Sequence, residues 1–223
     1  MLRPFFFLAA LLAPLISAAE STAIDTGDID EVVVTATRRA ISSEEVSSGL
    51  TVLGREAIET QKLVTDGLAS SVGVFLQQTT PGQGAPIIRG LKGSSILHLV
   101  DGMRLNNGIF RSAPTQYFAL VPVTAVERVE ILRGTPTSLY GNDAVGGVVQ
   151  LVTRVPTFDS AETEVRGDTF VSFDTAELAK TVRATIDVGN QALASSFSAE
   201  YLKTGDRRTV SGDRIGPSGY ESK

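Results

Sequence analysis

The sequence predicts a small α+β domain with a mixed β-sheet, followed by antiparallel strands of the kind that cross a membrane. Two strand-like runs flank a glycine-rich segment between Val126 and Arg154. An Asp101-Gly102 pair separates two extended runs, which favours a two-residue hairpin because these residues tolerate the positive φ angles of such turns. Beyond Arg154, apolar and polar residues alternate, as in strands with one apolar and one wet face.

Residues 1–19 have the pattern of a secretory signal peptide. Arg3 precedes an apolar run from Phe5 to Ile16, and small residues follow at positions 17–19. Cleavage is expected after Ala19. The alternative is a membrane anchor, but an apolar core of about 12 residues is shorter than the roughly 20 that a spanning helix needs.

Charge and residue content argue against several classes of function. Removal of residues 1–19 leaves 19 lysines and arginines against 25 acids, a net charge of about −6, which argues against binding of nucleic acid. The chain has no cysteine and one histidine, His98, so no thiolate or histidine-rich metal site is predicted. It has no phosphate-binding G-x-x-x-x-G-K-[ST] loop and no G-x-S-x-G elbow, so no enzyme activity and no cofactor are predicted.

Residues 20–48 are expected to be a flexible segment before the folded domain. The stretch from Ser21 to Asp30 is polar and acidic, with too few large apolar groups to pack. An isolated run of β-formers follows at residues 30–37, and it could add as an extra strand to the exposed edge of a partner sheet. The alternative is that this run is the first strand of a domain, since short valine runs are common in sheets.

Residues 49–154 are enough for one compact domain with its own core. The elements expected in its first part are a strand at 50–53, helices at 55–61 and 65–70, a strand at 74–77, a loop at 78–85, an extended segment at 86–90 and a hairpin at 95–106. Thr65 or Asp66 is expected to cap the second helix. The segment 126–154 is predicted as strand, short helical turn, glycine loop and strand.

Residues 155–223 are predicted to contain about three membrane strands, at 164–173, 180–188 and 193–203. In the second strand, one face carries Val182, Ala184, Ile186 and Val188, and the other carries Arg183, Thr185 and Asp187. These faces suit a strand between lipid and a wet lumen.

Three motifs occur in the order and approximate spacing of one receptor family. They are PIIRGL at 86–91, LVDGMRLN at 99–106 and VERVEILRG at 126–134, and the last continues into the pattern E-RG....YG..A.GG.....T. On these motifs the chain resembles the TonB-dependent outer-membrane receptors. The resemblance implies that residues 49–154 are a plug domain and that residues 155–223 begin the 22-stranded antiparallel transmembrane β-barrel around it. It also implies an outer-membrane location, with the plug in the barrel lumen and the N-terminus in the periplasm.

The same resemblance makes residues 30–37 a TonB box, the peptide that binds the energy-transducing protein TonB. The box residues are Asp30, Glu31, Val32, Val33, Val34, Thr35, Ala36 and Thr37. Because arginines of RG motifs pair with the barrel wall in this family, the expected anchoring residues are Arg89 and Arg133, with Glu127 and Glu130 as partners for barrel arginines. The alternative is that all four are solvated charges on strand faces, because surface ion pairs often contribute little.

Ligand contacts are expected from two polar loops, 78–85 and 106–117. The candidates are Gln83, Asn107, Arg111, Gln116 and Tyr117, which could touch a siderophore, a haem or a corrinoid. They could equally be ordinary loop residues with no ligand. His98 is a weaker candidate for a haem ligand, since a half-buried strand histidine needs no ligand.

The function expected from the resemblance is TonB-driven import of a scarce nutrient, of the iron-siderophore, haem or cobalamin type. Three strands cannot close a barrel, because an open edge in lipid leaves backbone groups unpaired at several kcal/mol each. The chain is therefore expected to be the N-terminal portion of a longer receptor. The alternative function is a freestanding periplasmic or surface binding module with a plug-like domain and no transport activity.

Overall fold

The structure is a computed structural model that describes residues 33–34, 41–42, 49–80, 82–105, 118–216 and 218–222. The predicted signal peptide, most of the predicted TonB box and the loop 106–117 lie outside the described residues. Among the residues described, no helix combines the length and the apolar character needed to cross a membrane.

The strands and helices fall into three groups along the chain. A short antiparallel pair comes first, β1 (Val33–Val34) and β2 (Ile41–Ser42). The central group contains β3 (Gly49–Gly54), α1 (Arg55–Glu59), α2 (Val64–Ala69), β4 (Val74–Thr80), β5 (Gln83–Ile88), β6 (Ile96–Val100), β7 (Met103–Arg104), β8 (Val126–Arg133), α3 (Thr137–Tyr140) and β9 (Gly147–Thr153), with single 3₁₀ turns at Gly93–Ser95, Phe118–Leu120, Val123–Ala125 and Asn142–Ala144. The last group contains β10 (Glu164–Asp174), β11 (Ala179–Gly189), β12 (Ala194–Thr204), β13 (Arg207–Arg208), β14 (Arg214–Ile215) and β15 (Tyr220–Ser222).

The central group is built around a five-stranded sheet with the order β3-β8-β9-β6-β7. Neighbouring strands are antiparallel except β6 and β9, which are parallel. The prediction of an α+β domain with a mixed sheet is confirmed. Strands β4 and β5 form a separate antiparallel pair.

The Asp101-Gly102 turn joins β6 to β7, as predicted, and both residues have positive φ angles of 47° and 80°. Asp101 also bonds to the end of β9. Its carboxylate accepts hydrogen bonds from the main-chain N–H and the hydroxyl of Thr153, at 2.8 and 2.7 Å. The hairpin is thereby tied to the strand that runs parallel to β6.

Both faces of the five-stranded sheet are covered, which accounts for the nearly continuous apolar sequence of β9. On one face, Val129 and Val149 belong to a buried cluster that includes Ile58 of α1. On the other face, Leu132 belongs to a second cluster with Tyr140 of α3. Removal of this apolar surface from water is the main term that stabilises the domain.

The first half of the domain differs from the sequence prediction in two places. Most of the predicted loop 78–85 is a hairpin, because β4 continues to Thr80 and β5 starts at Gln83. Pairing within the hairpin satisfies backbone groups that a loop would leave to water. Helix α2 begins after Leu63, so Asp66 is the third residue of the helix and does not stand at the N-cap position. Its carboxylate still caps the helix, because it accepts the Leu63 N–H at 3.2 Å.

The segment 126–154 has the predicted order of strand, helical turn, glycine loop and strand. Gly147 is required at the start of β9 for two reasons. Its φ is +152°, and a Cβ there would lie 2.6 Å from the Leu132 carbonyl oxygen. The pairing of β9 with β8 therefore depends on a residue without a side chain.

The last group forms an antiparallel sheet with the order β10-β11-β12-β15. Its three long strands have 11 residues each and lie where the alternation predicted them. One face exposes the large apolar side chains Val165, Val171, Phe173, Val182, Ile186 and Phe197. The distance from Val165 to Phe173 is about 26 Å along the strand, close to the roughly 25 Å apolar band of membrane barrels.

Replacement of Gly147 by alanine is expected to destabilise the domain more than the same change at Gly134. The φ angles of these glycines are +152° and +144°, so both substitutions strain the backbone by about 1–3 kcal/mol. Only Gly147 has a carbonyl oxygen in the path of the new Cβ, whereas Gly134 faces open space. Denaturant unfolding of both variants measures the difference in the free energy of unfolding. Equal decreases in the free energy of unfolding of the two variants would mean that the Leu132 carbonyl moves aside at no cost in free energy.

Candidate functional site

The inner face of the four-stranded sheet is polar and buried. Along β11, Arg183, Thr185 and Asp187 are 3%, 2% and 3% exposed. The sequence pattern predicted this polar face but assigned it to a wet lumen. It lies instead against the α+β domain, where its charged side chains find protein partners. We call this surface, which contains Arg183, Thr185 and Asp187, the wall face, and its contact with the domain is the candidate functional site.

Arg183 of the wall face binds the main chain at the end of α1. Its Nη1 donates to the carbonyl oxygen of Glu59 at 2.7 Å, and its Nη2 donates to those of Gln61 and Lys62 at 2.7 and 3.1 Å. Glu59 is the last residue of α1, and a carbonyl at a helix end has no partner within the helix and carries partial negative charge, so a guanidinium suits it. The Arg183 Nε also lies 3.3 Å from Glu200 Oε2. Because the acceptors are main-chain atoms, the contact fixes the position of the backbone at 59–62.

Lys62 bonds the same segment to the end of β10 and the turn that follows. Its Nζ lies 2.7 Å from Asp174 Oδ2 and 2.9 Å from Glu177 Oε2. Burial opposes the charge on Lys62, but the hydrogen bonds with Asp174 and Glu177 outweigh it and raise the lysine's pKa. A lysine with a raised folded pKa adds stability at neutral pH, and loses it only as the pH rises through that pKa. The Lys62 contact therefore persists across the physiological range.

A cavity of about 280 Å³ lies beside Lys62, lined by residues 60–63 and by Asp66, Glu177, Leu202, Thr204 and Arg207. Burial raises the pKa of Asp66, against the hydrogen bonds from Gln78 and the Leu63 N–H, which lower it. Glu177 also accepts a 2.9 Å hydrogen bond from Arg207 Nε. Among the described residues, no group of three or more side chains could hold a metal ion.

Arg154, the residue after β9, makes a two-pronged ion pair with Asp187 of β11. Its Nη1 donates to Asp187 Oδ1 at 3.0 Å, and its Nη2 donates to Oδ2. The Asp187 side chain is 5% exposed and the Arg154 side chain 23%. Hydrogen bonding to Asp187 raises the pKa of Arg154. Such paired bonds orient as well as attract, so this contact fixes the point where the chain leaves the domain.

Apolar contacts complete the interface. Leu63, Ala119 and Leu202 form one buried cluster, and Tyr220 of β15 packs against it. Gly82, at the tip of the β4–β5 hairpin, faces the Tyr220 ring so closely that a Cβ would collide with it. The hairpin reaches β15 because residue 82 has no side chain.

The four predicted anchoring residues all lie in the α+β domain. Arg133 donates to the Val72 carbonyl oxygen, and Glu130 is fully buried in β8, 2.8 Å from Arg128. Arg89 is exposed in the turn after β5, with φ +53°, and Glu127 is half-buried in β8. Their pairing with a barrel wall stays a prediction.

Among the five ligand candidates, Gln83 is described, and it is the first, half-buried residue of β5. Asn107, Arg111, Gln116 and Tyr117 lie outside the described residues, so the ligand site stays a prediction. His98 is 5% exposed in β6, with its ring centroid 4.7 Å from that of Phe118. This is the environment of a core histidine.

The residues that hold the interface were not among the sequence candidates for anchoring. Arg183 and Asp187 carried a usable signal, because two charges that share one strand face with only small and hydroxyl-bearing residues suggest specific partners. Lys62 and Arg154 carried none, since each is an ordinary polar residue between elements.

This architecture defines a class of protein. An α+β domain is bonded through charges and main-chain carbonyls to the polar face of a sheet whose other face is apolar and exposed, which is the arrangement of a plug against a membrane-facing wall. A family model described as the TonB-dependent Receptor Plug Domain matches residues 42–148. The chain belongs to the TonB-dependent receptor family, and its α+β domain is the plug.

Known relatives agree with this membership. The chain is 32% identical over 149 residues to the vitamin B12 transporter BtuB of Photobacterium profundum, and 37% identical over 150 residues to that of Vibrio vulnificus. Each match covers 66% of this chain and 24% of the relative, so the chain spans about a quarter of the length of these proteins.

Solved structures share the fold. The siderophore receptor PirA from Acinetobacter baumannii matches with a TM-score of 0.52 and 25% identity, over 72% of this chain and 25% of that one. The copper transporter OprC matches with a TM-score of 0.64 and 20% identity, over 77% of this chain and 26% of that one.

Replacement of Arg183 by glutamine is expected to loosen the backbone at 59–62. Glutamine cannot donate to three carbonyls, and each buried acceptor left unpaired costs about 1–3 kcal/mol. Amide hydrogen exchange at residues 59–63 should accelerate by about tenfold or more, the equivalent of about 1.4 kcal/mol. Arg166→Gln is the control, because Arg166 lies on the neighbouring strand with a 55% exposed side chain. Wild-type exchange in Arg183→Gln would mean that Lys62 and Leu63 hold the segment without it.

A double-mutant cycle of Arg154→Gln and Asp187→Asn is expected to give a coupling energy of about 1–3 kcal/mol, because the two groups share a largely buried contact. The free energy of unfolding in denaturant supplies the four values of the cycle. The exposed pair Arg166 and Glu164, 2.7 Å apart, is the comparison and should couple by less than about 1 kcal/mol. Equal coupling in both pairs would contradict a special role for Arg154 and Asp187.

Proposed function

We propose that the chain takes part in TonB-dependent uptake of a scarce nutrient across the outer membrane of a Gram-negative cell. Residues 49–154 are the plug in the barrel lumen, and residues 155–223 supply wall strands. The observation that supports this proposal is the hydrogen bonding between the plug and a wall whose outer face is apolar. A plug that closes a membrane pore must be held firmly and must still be released. Charge-assisted hydrogen bonds in a network meet both needs.

We place the energy-coupling peptide at residues 30–37, on the periplasmic side. Val33 and Val34 are already extended in β1 and pair with Ile41 and Ser42 through one edge. β1 has no other strand neighbour among the described residues. An extended segment with an open edge suits addition to the sheet of TonB, where main-chain hydrogen bonds supply the affinity.

Force applied to this peptide would act first on the β1–β2 pair, which contains Val33 and Val34, and next on β3. β3 is an edge strand whose single neighbour in the sheet is β8. The backbone at 59–62 comes next, and Arg183 of the wall holds it. Release of β3 would therefore come before any separation of plug and wall, and the wall contacts would limit how far the change spreads.

For the cargo, we propose a metal chelate or a corrinoid. The relatives matched by sequence are named as vitamin B12 transporters and one structural neighbour as a siderophore receptor, which supports a large polar nutrient of this kind. Haem belongs to the same group. The proposed contacts are Gln83, Asn107, Arg111, Gln116 and Tyr117, which combine amide, guanidinium and phenol groups suited to such ligands.

A freestanding binding module explains less of the structure. The exposed face of β10–β12 carries Val171, Phe173, Val182, Ile186 and Phe197. In water, a continuous apolar face of this kind promotes association. In a bilayer it needs no cover, which supports the membrane receptor.

Binding of the mature protein to the periplasmic domain of TonB tests the proposal. Val33→Pro removes a backbone N–H from the proposed added strand and should reduce the affinity at least tenfold. Val33→Thr keeps the N–H and the β-branched shape, so it should bind like the wild type if the contact is made by the main chain.

The outcomes separate the models. Loss of TonB binding in Val33→Pro, with binding retained in Val33→Thr, would support coupling through residues 30–37. Loss with both variants would mean that the valine side chain carries the recognition. No binding by the unmodified protein would overturn the proposed function.

A further inference from the structure

One row of side chains on the exposed face of the four-stranded sheet is charged. Phe173 pairs with Lys180 across β10 and β11, Lys180 with Lys203 across β11 and β12, and Lys203 with Glu221 across β12 and β15. These four side chains therefore lie side by side near the β10–β11 turn. In the described sheet, the other rows on this face are apolar, small or hydroxyl-bearing, apart from the aromatic Tyr201.

Two lysines directly opposite each other on one face repel, and cross-strand pairs of like charge are unfavourable. Glu221 relieves part of the repulsion, because its Oε2 lies 3.2 Å from Lys203 Nζ. The Lys180 side chain is exposed and, among the described residues, has no hydrogen-bond or ion-pair partner. The row therefore keeps an uncompensated positive charge.

The row also lies at one end of the apolar face. Valine, isoleucine and phenylalanine occupy the face from Val165 to Phe173, whereas the opposite end, at the pair Val165 and Val188, has no charged residue. Lysines at the edge of an apolar membrane surface extend their ammonium groups to the headgroup level. Phe173 and Tyr201 flank them as interfacial aromatic residues do.

We propose that Lys180 and Lys203 form a binding site for the phosphate group of an anionic membrane lipid. A phosphate between the two ammonium groups would remove their repulsion, and the acyl chains would lie on the apolar face beside Val171 and Val182. Glu221 limits the strength of the site by competing for Lys203. This inference rests on the proposed membrane location and adds a partner that transport does not require.

The test is native mass spectrometry of the intact protein in a zwitterionic detergent, with equal amounts of phosphatidylglycerol and phosphatidylcholine. The readout is the ratio of the two lipids that remain bound. Lys180→Gln should lower the preference for phosphatidylglycerol about fivefold, the change expected from one basic residue at an anionic surface. Lys203→Gln should lower it less, because Glu221 already neutralises part of that charge. Glu221→Gln should raise it.

Lys92→Gln is the matched control, since Lys92 is an exposed lysine of the plug that bonds to Gln77 at 3.2 Å. It removes the same charge and should leave the lipid ratio unchanged. A wild-type protein without preference for phosphatidylglycerol would overturn the site, as would a Lys180→Gln/Lys203→Gln variant that keeps the preference. Displacement of the lipid by an equal concentration of inorganic phosphate would identify an anion site instead of a lipid site.

The proposed function is tested separately, because TonB binding can be measured on the same preparations. If the protein binds TonB but shows no lipid preference, only the proposed lipid site is overturned. If the protein shows the lipid preference but does not bind TonB, only the proposed coupling to TonB is overturned.

Discussion

The donation of the Arg183 guanidinium to three main-chain carbonyls is the contact on which the relation between plug and wall depends. A buried arginine is costly unless its donors are satisfied. Here the carbonyls of residues 59, 61 and 62 accept from its terminal nitrogens, Glu200 approaches Nε, and the Phe170 ring lies 5.2 Å away. Each partner offsets part of the cost of burying the charge. The end of α1 consequently has one position relative to β11, and Lys62 and Leu63 are placed against the wall by the same constraint.

The two faces of the wall follow from a single property of its strands. Side chains alternate across a strand, so the same 11 residues of β11 present Arg183 and Asp187 to the plug and Val182 and Ile186 to the exterior. The plug meets this surface with complementary groups of different kinds. Main-chain carbonyls meet Arg183, a guanidinium at 154 meets Asp187, and Leu63 meets Leu202. Their variety gives the interface one register, since no single displacement could satisfy all of them elsewhere.

The elements that local chemistry determines could be predicted from the sequence. The Asp101-Gly102 hairpin, the glycine loop before β9 and the alternation of β10–β12 all depend on neighbours in the chain, and all were found as predicted. The loop predicted at 78–85 was wrong because hairpin pairing outweighed the local preference of its glycines. The individual contacts of the interface could not be predicted. Lys62 and Glu177 are 115 positions apart in the sequence, and no pattern in either segment indicates that the two residues meet. The alternation of side chains still predicted that Arg183 and Asp187 lie on a polar face, but it did not identify the residues that they contact.

The position of β9 in the sheet has a consequence for the order in which the plug can fold. β9 is the last strand of the domain along the chain, yet it is the central one, between β8 and β6. Its parallel partner β6 was synthesised about fifty residues earlier, as the pairing of Ile96 with Gly147 requires. Before residues 147–153 emerge, the β3–β8 pair and the β6–β7 hairpin have no common neighbour, and the two core clusters cannot close. Assembly through such distant contacts is slow. A nascent chain of this topology stays open until its plug is complete, a delay that suits a polypeptide with a predicted secretory signal peptide.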